Sequence, residues 1–156
     1  MTVYVGIDPG LSGAITILCQ GNLVVSDTPV AIVKNTRRDY LVAEMVRLLT
    51  AWNPADLSAA LERGIAMPRQ SSSTTYTTGR GGGLWEGILA GLRIPYEMVE
   101  PRKWKKELGL PVGADKGMSR VLASRIFPDA ASSFARVKDD GRAESALIAE
   151  WRRRIG

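Results

Sequence analysis

Four carboxylates stand where a sheet edge and a helix could gather them. Asp8 ends a β-rich run, Val3 to Asp8, and Pro9-Gly10 stops that run from continuing. Glu62 ends a second apolar run, Leu57 to Glu62. Asp140 and Glu144 lie four residues apart at the head of a helical segment, a spacing that sets both on one face a turn apart. If the two runs are neighbouring strands, Asp8 and Glu62 meet at one edge, and the helix brings its two acids to them. Like charges that close repel unless cations neutralise them. Oxygen donors without nitrogen or sulfur select hard Mg²⁺ or Mn²⁺. Two such ions about 4 Å apart can activate a water and stabilise a leaving oxygen, as phosphodiester cleavage requires.

Each acid also has a structural reading. Asp8 before Pro-Gly suits a turn, Glu62 could pair with Arg63, and Asp140 could cap its helix with Glu144 facing the dipole. Asp139 competes with Asp140 as the fourth member. It lies five residues before Glu144, the wrong face of a continuous helix, so Asp140 is preferred.

The remaining composition narrows the chemistry. The chain has 156 residues, one domain's worth, with no histidine and a single cysteine, Cys19. That excludes serine triads, histidine bases and histidine- or cysteine-built zinc sites. Lys and Arg number 21 against 16 Asp and Glu, a net charge of +5 that suits a polyanionic partner. No apolar run approaches the roughly 20 residues of a bilayer span. The N-terminus has no basic, apolar leader pattern, so no secretory signal and a cytoplasmic setting are expected.

The elements that must position the acids follow from periodicity. Val3 to Asp8, Ala14 to Cys19 and Leu23 to Ser26, joined by short turns, predict an antiparallel meander. Asp39 to Trp52 predicts a helix capped by Asp39, with Leu41, Met45, Leu48 and Leu49 inward. Leu57 to Glu62 reads as a buried strand. Residues 66–79, rich in Ser and Thr, read as a long polar loop before a helix at about Gly82 to Leu92. Ile94 to Val99 is a strand, and Pro101 opens a basic helix through Lys106. A helix starting at Gly113 to Asp115 turns Val121, Leu122 and Ile126 to the core and stops at Pro128. The last helix runs from about Asp140 to Arg154. The order is α/β, with no repeat and no dividing linker.

Basic residues supply candidate phosphate contacts. Arg102, Lys103, Lys105 and Lys106 form a block around Trp104, and Lys116 follows Asp115 at a helix start, where phosphate is favoured. Arg69 and Arg80 flank the Ser/Thr segment, whose Tyr76 either stacks on an unpaired base or is an ordinary exposed tyrosine. Gly83, Gly87 and Gly91 recur every four residues, which predicts close approach of another backbone, either the protein's own sheet or a second copy.

Taken in order, these motifs resemble a known family. Val5-Gly6-Ile7-Asp8-Pro9-Gly10-Leu11-Ser12-Gly13-Ala14 resembles the opening of RuvC-type Holliday junction resolvases, and Ala60-Leu61-Glu62 is similar to their second acidic site. Trp85-Glu86-Gly87-Ile88-Leu89, Ile94-Pro95-Tyr96-Glu97, Trp104-Lys105-Lys106 and Asp140-Gly141-Arg142-Ala143-Glu144 resemble the phage and bacterial branch. The resemblance implies a single RNase H-like nuclease domain over residues 1–156, a mixed five-stranded sheet with helices on both faces. It implies a homodimer through helix 82–92 that cuts four-way DNA junctions with paired nicks, leaving 5′-phosphate and 3′-hydroxyl ends. It implies two divalent ions per site on Asp8, Glu62, Asp140 and Glu144; Lys116, from its own place at a helix start, would position the scissile backbone or stabilise its developing charge. One departure stands out: the family usually spaces its last two acids by three, and here Gly141 holds the place three before Glu144. A non-catalytic branched-DNA-binding module and a fragment of an actin-like ATPase are the alternatives.

Overall fold

A computed structural model describes residues 1–111 and 113–156, and for Lys116 the backbone alone. Three strands form the expected meander: β1 (Val3–Asp8), β2 (Ala14–Cys19) and β3 (Asn22–Asp27). Gln20 and Gly21, both at positive φ, close the hairpin between β2 and β3 in two residues. A small hairpin then follows, β4 (Val30–Lys34) with β5 (Arg37–Tyr40), and leads into α1 (Val42–Thr50). β6 (Leu57–Glu62), α2 (Ser72–Gly91) and β7 (Tyr96–Val99) complete the sheet. The remaining helices are α3 (Pro101–Glu107), α4 (Lys116–Ile126) and α5 (Asp140–Ile155).

The main sheet has five strands in the order β3-β2-β1-β6-β7, antiparallel from β3 to β1 and parallel from β1 to β7. Alternation along the central strands feeds two cores. Val3, Val5 and Ile7 of β1, with Ala59 and Leu61 of β6, pack against Met45 and Leu49 of α1 and Trp85 and Leu89 of α2. The opposite face carries Leu18 and Ala60, which pack with Trp104 of α3, Ala123 of α4 and Ala143, Ala146 and Leu147 of α5. Helices therefore cover both faces, and β1 and β6 are sandwiched between them.

Small residues set how close α5 comes. A Cβ on Gly6 would lie 2.1 Å from the Ser145 carbonyl oxygen and 2.3 Å from the Ala149 amide nitrogen. A Cβ on Gly141 would lie 2.5 Å from the Ser12 carbonyl oxygen, in the turn after β1. Gly141 therefore stands three before Glu144 because the helix head presses on that turn. The buried hydroxyls of Thr16 and Ser145 meet at 2.7 Å, and Arg142 grips Asp27 with two bonds of 2.7 and 2.8 Å. That ion pair lowers the Asp27 carboxyl below its usual range. Together they pin α5 to β2 and β3.

Three expectations are corrected. The first helix begins at Val42, not Asp39: Asp39 and Tyr40 belong to β5, and the Asp39 carboxylate pairs with Arg80 instead of capping. Residues 72–79 are not loop but the first two turns of α2. Ser71 caps it by accepting from the Thr74 amide at 3.1 Å, and the Thr77 hydroxyl donates back to the Ser73 carbonyl. Val121 is 60% exposed, whereas Leu122 and Ile126 do pack against the core as expected, beside the buried Ser119 and Ala123.

Candidate active site

The parallel pairing of β1 and β6 sets the first two acids side by side. Ile7 is registered with Leu61, so Asp8 and Glu62 leave the sheet at neighbouring ends, on the face that α5 covers. Close packing of α5 over Gly6 then brings in Glu144. One carboxylate oxygen from each of Asp8, Glu62 and Glu144 lies within 4.8 Å of the others. An open cleft leads to them, lined by the turn after Asp8, by Ser73 and Thr77 of α2, and by Asp140 and Glu144. The segment read as a loop is thus one wall of this cleft.

Asp140 lines the cleft but stands apart from that trio, its Oδ1 accepting from Arg120 Nε at 2.9 Å. Asp139 is buried and turned away. Arg136 holds it from two side-chain nitrogens and its backbone amide, which lowers the Asp139 carboxyl below its usual range. Glu62 makes no pair with Arg63. Its Oε2 accepts from Trp104 Nε1 at 2.7 Å. Lys105 Nζ donates to Glu144 Oε1 at 3.1 Å.

Burial, reinforced by the negative charge of Glu144, pushes the Glu62 carboxyl up to about 7, against the opposing pull of Trp104 and Lys105. A carboxyl raised this way binds more protons folded than unfolded, so stability declines as pH rises from about 4.5 through about 7. In metal-free protein at pH 8, Glu62→Gln should therefore melt higher than the unaltered chain, by on the order of 2–3 kcal/mol. The gain should vanish only well below pH 4.5, where Glu62 is protonated in both states. Equal melting of the two proteins at pH 8 in EDTA would contradict this electrostatic picture.

The basic residues separate. Lys105 reaches the acids, whereas Lys103 lies over the Trp151 ring, 5.4 Å from its centroid, and pairs with Glu97 at 3.7 Å. Trp151 is seven residues past Glu144 on α5, about 10 Å along the helix. Arg80 pairs with Asp39 and sits over the Tyr40 ring. Arg69, at φ 70°, and Lys106 are exposed, as is Tyr76 on α2. The side chain of Lys116 lies outside the described residues; its backbone begins α4 behind the Asp115 cap.

Arg38 and Lys138 also line the cleft, and Trp104 and Arg120 hold its acids. None of these four functions was legible from periodicity. One signal pointed to Trp104: a tryptophan four residues before Leu108 on a short helix turns inward, and a buried indole N–H needs an acceptor.

This sheet order with helices on both faces defines an RNase H-like fold. The chain folds as Thermus thermophilus RuvC does. It matches RuvC in complex with a Holliday junction substrate with a TM-score of 0.67 at 17% identity, over 100% of this chain and 97% of that one. A second RuvC structure from Thermus thermophilus matches with a TM-score of 0.62 at 19% identity, over 99% and 97% of the two chains. Among curated proteins, the chain is 32% identical over 98 residues, 63% of its length, to the chloroplastic Holliday junction resolvase MOC1 of Chlamydomonas reinhardtii. It spans 11% of that relative's length. No family model matches the chain. Among the described residues, no helix is long and apolar enough to cross a membrane.

Proposed function

We propose that the chain is a divalent-metal-dependent endonuclease that resolves four-way DNA junctions by paired, symmetric nicks. The observation that carries this reading is the convergence of Asp8, Glu62 and Glu144, from three separate elements, at the mouth of a RuvC-type sheet. An all-oxygen donor set suits Mg²⁺ or Mn²⁺. Asp8, Glu62 and Glu144 would hold two such ions per site, with Asp140 joining when its pair with Arg120 opens. When bound, the ions supply Lewis acidity to a phosphate oxygen and a water acidic enough to act as nucleophile. The chain's own residues do the rest. Lys105 offsets the charge of Glu144 and orients it. Arg38 and Lys138 place positive charge in the cleft, where a phosphate strand would lie. Arg69, Tyr76 and Lys106 are exposed and fit contacts to the DNA arms, and Lys116 remains the proposed contact to the scissile phosphate. Arg80 and Lys103 face Asp39 and Glu97 and serve mainly the scaffold. The setting we propose is a bacterial or phage-infected cell, which rests on the phage-like resemblance of the closing helix.

Paired nicking needs two sites facing one junction, and α2 fits that need. It packs on its own sheet through Trp85, Ile88 and Leu89. On its other side a Cβ added to Gly79, Gly83, Gly87 or Gly91 would meet nothing within 4 Å. Among the described residues these glycines therefore meet no intrachain neighbour on that side, which suits a two-fold helix contact. Gly87→Leu should convert a dimer to a monomer in sedimentation at unchanged helicity; a dimer in both proteins would exclude this face.

A second reading has support of its own: Lys105 and Arg120 already neutralise two acids, as in a purely structural network. A non-catalytic branched-DNA-binding module would then bind a synthetic four-way junction and never cut it. Incubation of that junction with Mg²⁺ or Mn²⁺ decides. Two nicks related by symmetry are the expected result, and intact strands under every divalent ion would favour the binding module.

A further inference from the structure

The pair formed by buried Trp104 and half-buried Glu62 points to a device that the acids alone do not explain. Trp104 is fully buried among Ala60, Val99, Leu108 and the small residues of α5. Its ring therefore has one orientation. Its Nε1–H points at Glu62 Oε2, 2.7 Å away, and not at a backbone carbonyl. The geometry is set locally. Pro101 opens α3 directly after β7 and Glu100, which places Trp104 one turn into the helix. The next residue, Lys105, donates to Glu144. Two consecutive residues of one short helix thus hold two acids that come from β6 and α5.

We infer that Trp104 is a positioning residue that locks the Glu62 carboxylate, through one oxygen, in the orientation in which its other oxygen can serve the cation site. This rests on the metal-dependent reading proposed above. A free glutamate at a strand end samples several rotamers, and ordering it on each binding event costs side-chain entropy. An N–H already bonded to one oxygen removes that cost and fixes the carboxylate plane. Donors that orient metal-binding side chains typically govern affinity by about 10- to 100-fold. The ordinary alternative is that Trp104 only fills the core and satisfies its N–H on whatever acceptor is near.

A second tryptophan separates the two roles. Trp151 is equally buried, and its Nε1–H also donates to a carboxylate, that of Glu107, outside the acid cluster. Calorimetric titration of the DNA-free protein with Mn²⁺ alone should show Trp104→Phe weakened about 10- to 100-fold. Trp151→Phe should stay within about twofold, since it loses the same kind of bond elsewhere. Equal affinity for Trp104→Phe and the unaltered chain would overturn the inference, and so would equal losses in both variants. Should Trp104→Phe fail to fold, the indole ¹⁵N–¹H signals of the intact protein decide. The Trp104 signal is expected to move on Mn²⁺-free Mg²⁺ titration and in Glu62→Gln, with Trp151 still. A stationary Trp104 signal would overturn the proposal. No Mn²⁺ binding by the unaltered protein would overturn the metal reading along with it, whereas normal binding by both Phe variants removes the role of Trp104 alone.

Discussion

Asp8→Asn should leave a protein that binds a four-way junction and no longer cuts it. Asparagine keeps the size and turn preference of aspartate before Pro9-Gly10 and removes only the charge. The remaining acids then hold a divalent ion poorly. Lewis-acid stabilisation by a bound ion is worth several kcal/mol in the transition state. Each 1.36 kcal/mol is a factor of ten, so nicking should fall by about 10³-fold or more. Binding, measured by mobility shift in EDTA, should be retained, because phosphate contacts come from basic residues elsewhere. One negative charge fewer beside Glu62 and Glu144 also relieves part of their mutual repulsion in the metal-free protein. Nicking within tenfold of the unaltered rate would remove Asp8 from the machinery and leave the binding module as the better reading.

Gly6→Ala, a change of one methyl group, should be the most damaging substitution in the strands. The new carbon would fall 2.1 Å from a carbonyl oxygen and 2.3 Å from an amide nitrogen of α5, and backbone cannot step aside as a side chain tip can. Either β1 or α5 must shift. Overpacking of this kind costs about 3 kcal/mol or more. The functional cost should exceed the stability cost, because α5 carries Glu144: a helix lifted off Gly6 draws that carboxylate away from Asp8 and Glu62. Denaturant melts should show the lost stability, and Mn²⁺ titration of whatever remains folded should show weakened binding. An alanine variant with unchanged melting and unchanged Mn²⁺ affinity would mean that α5 does not sit as described.

Strand periodicity and the turn after Asp8 are local properties, so β1, β2, β3 and β6, and the placement of Asp8 and Glu62 at strand ends, could be read from the chain. The helix at residues 72–79 could not. Its Ser and Thr residues compete with the backbone for hydrogen bonds and favour loops in isolation. Here the Ser71 cap, the Thr77 back-bond and the anchorage of Tyr40 on the Thr77 carbonyl, at 2.9 Å, tip the balance. Within the basic block the charge pattern does not separate the lysines, but a helix of seven residues turns Lys103 toward Trp151 and Lys105 toward Glu144, about 10 Å apart along α5.

The sequence by itself determined which side chains could do chemistry. With no histidine and one cysteine, only acids, lysines and hydroxyls remained, and their positions at strand and helix ends are set by nearest neighbours. Only the tertiary structure decided which acids meet. Asp8, Glu62 and Glu144 come together because β1 and β6 are parallel in register and because glycines let α5 lie on the sheet. It also decided that Asp140 rests on Arg120 and Asp139 on Arg136. Those choices depend on contacts between residues far apart in the chain, where side-chain packing and ion pairing, not local preference, set the energy.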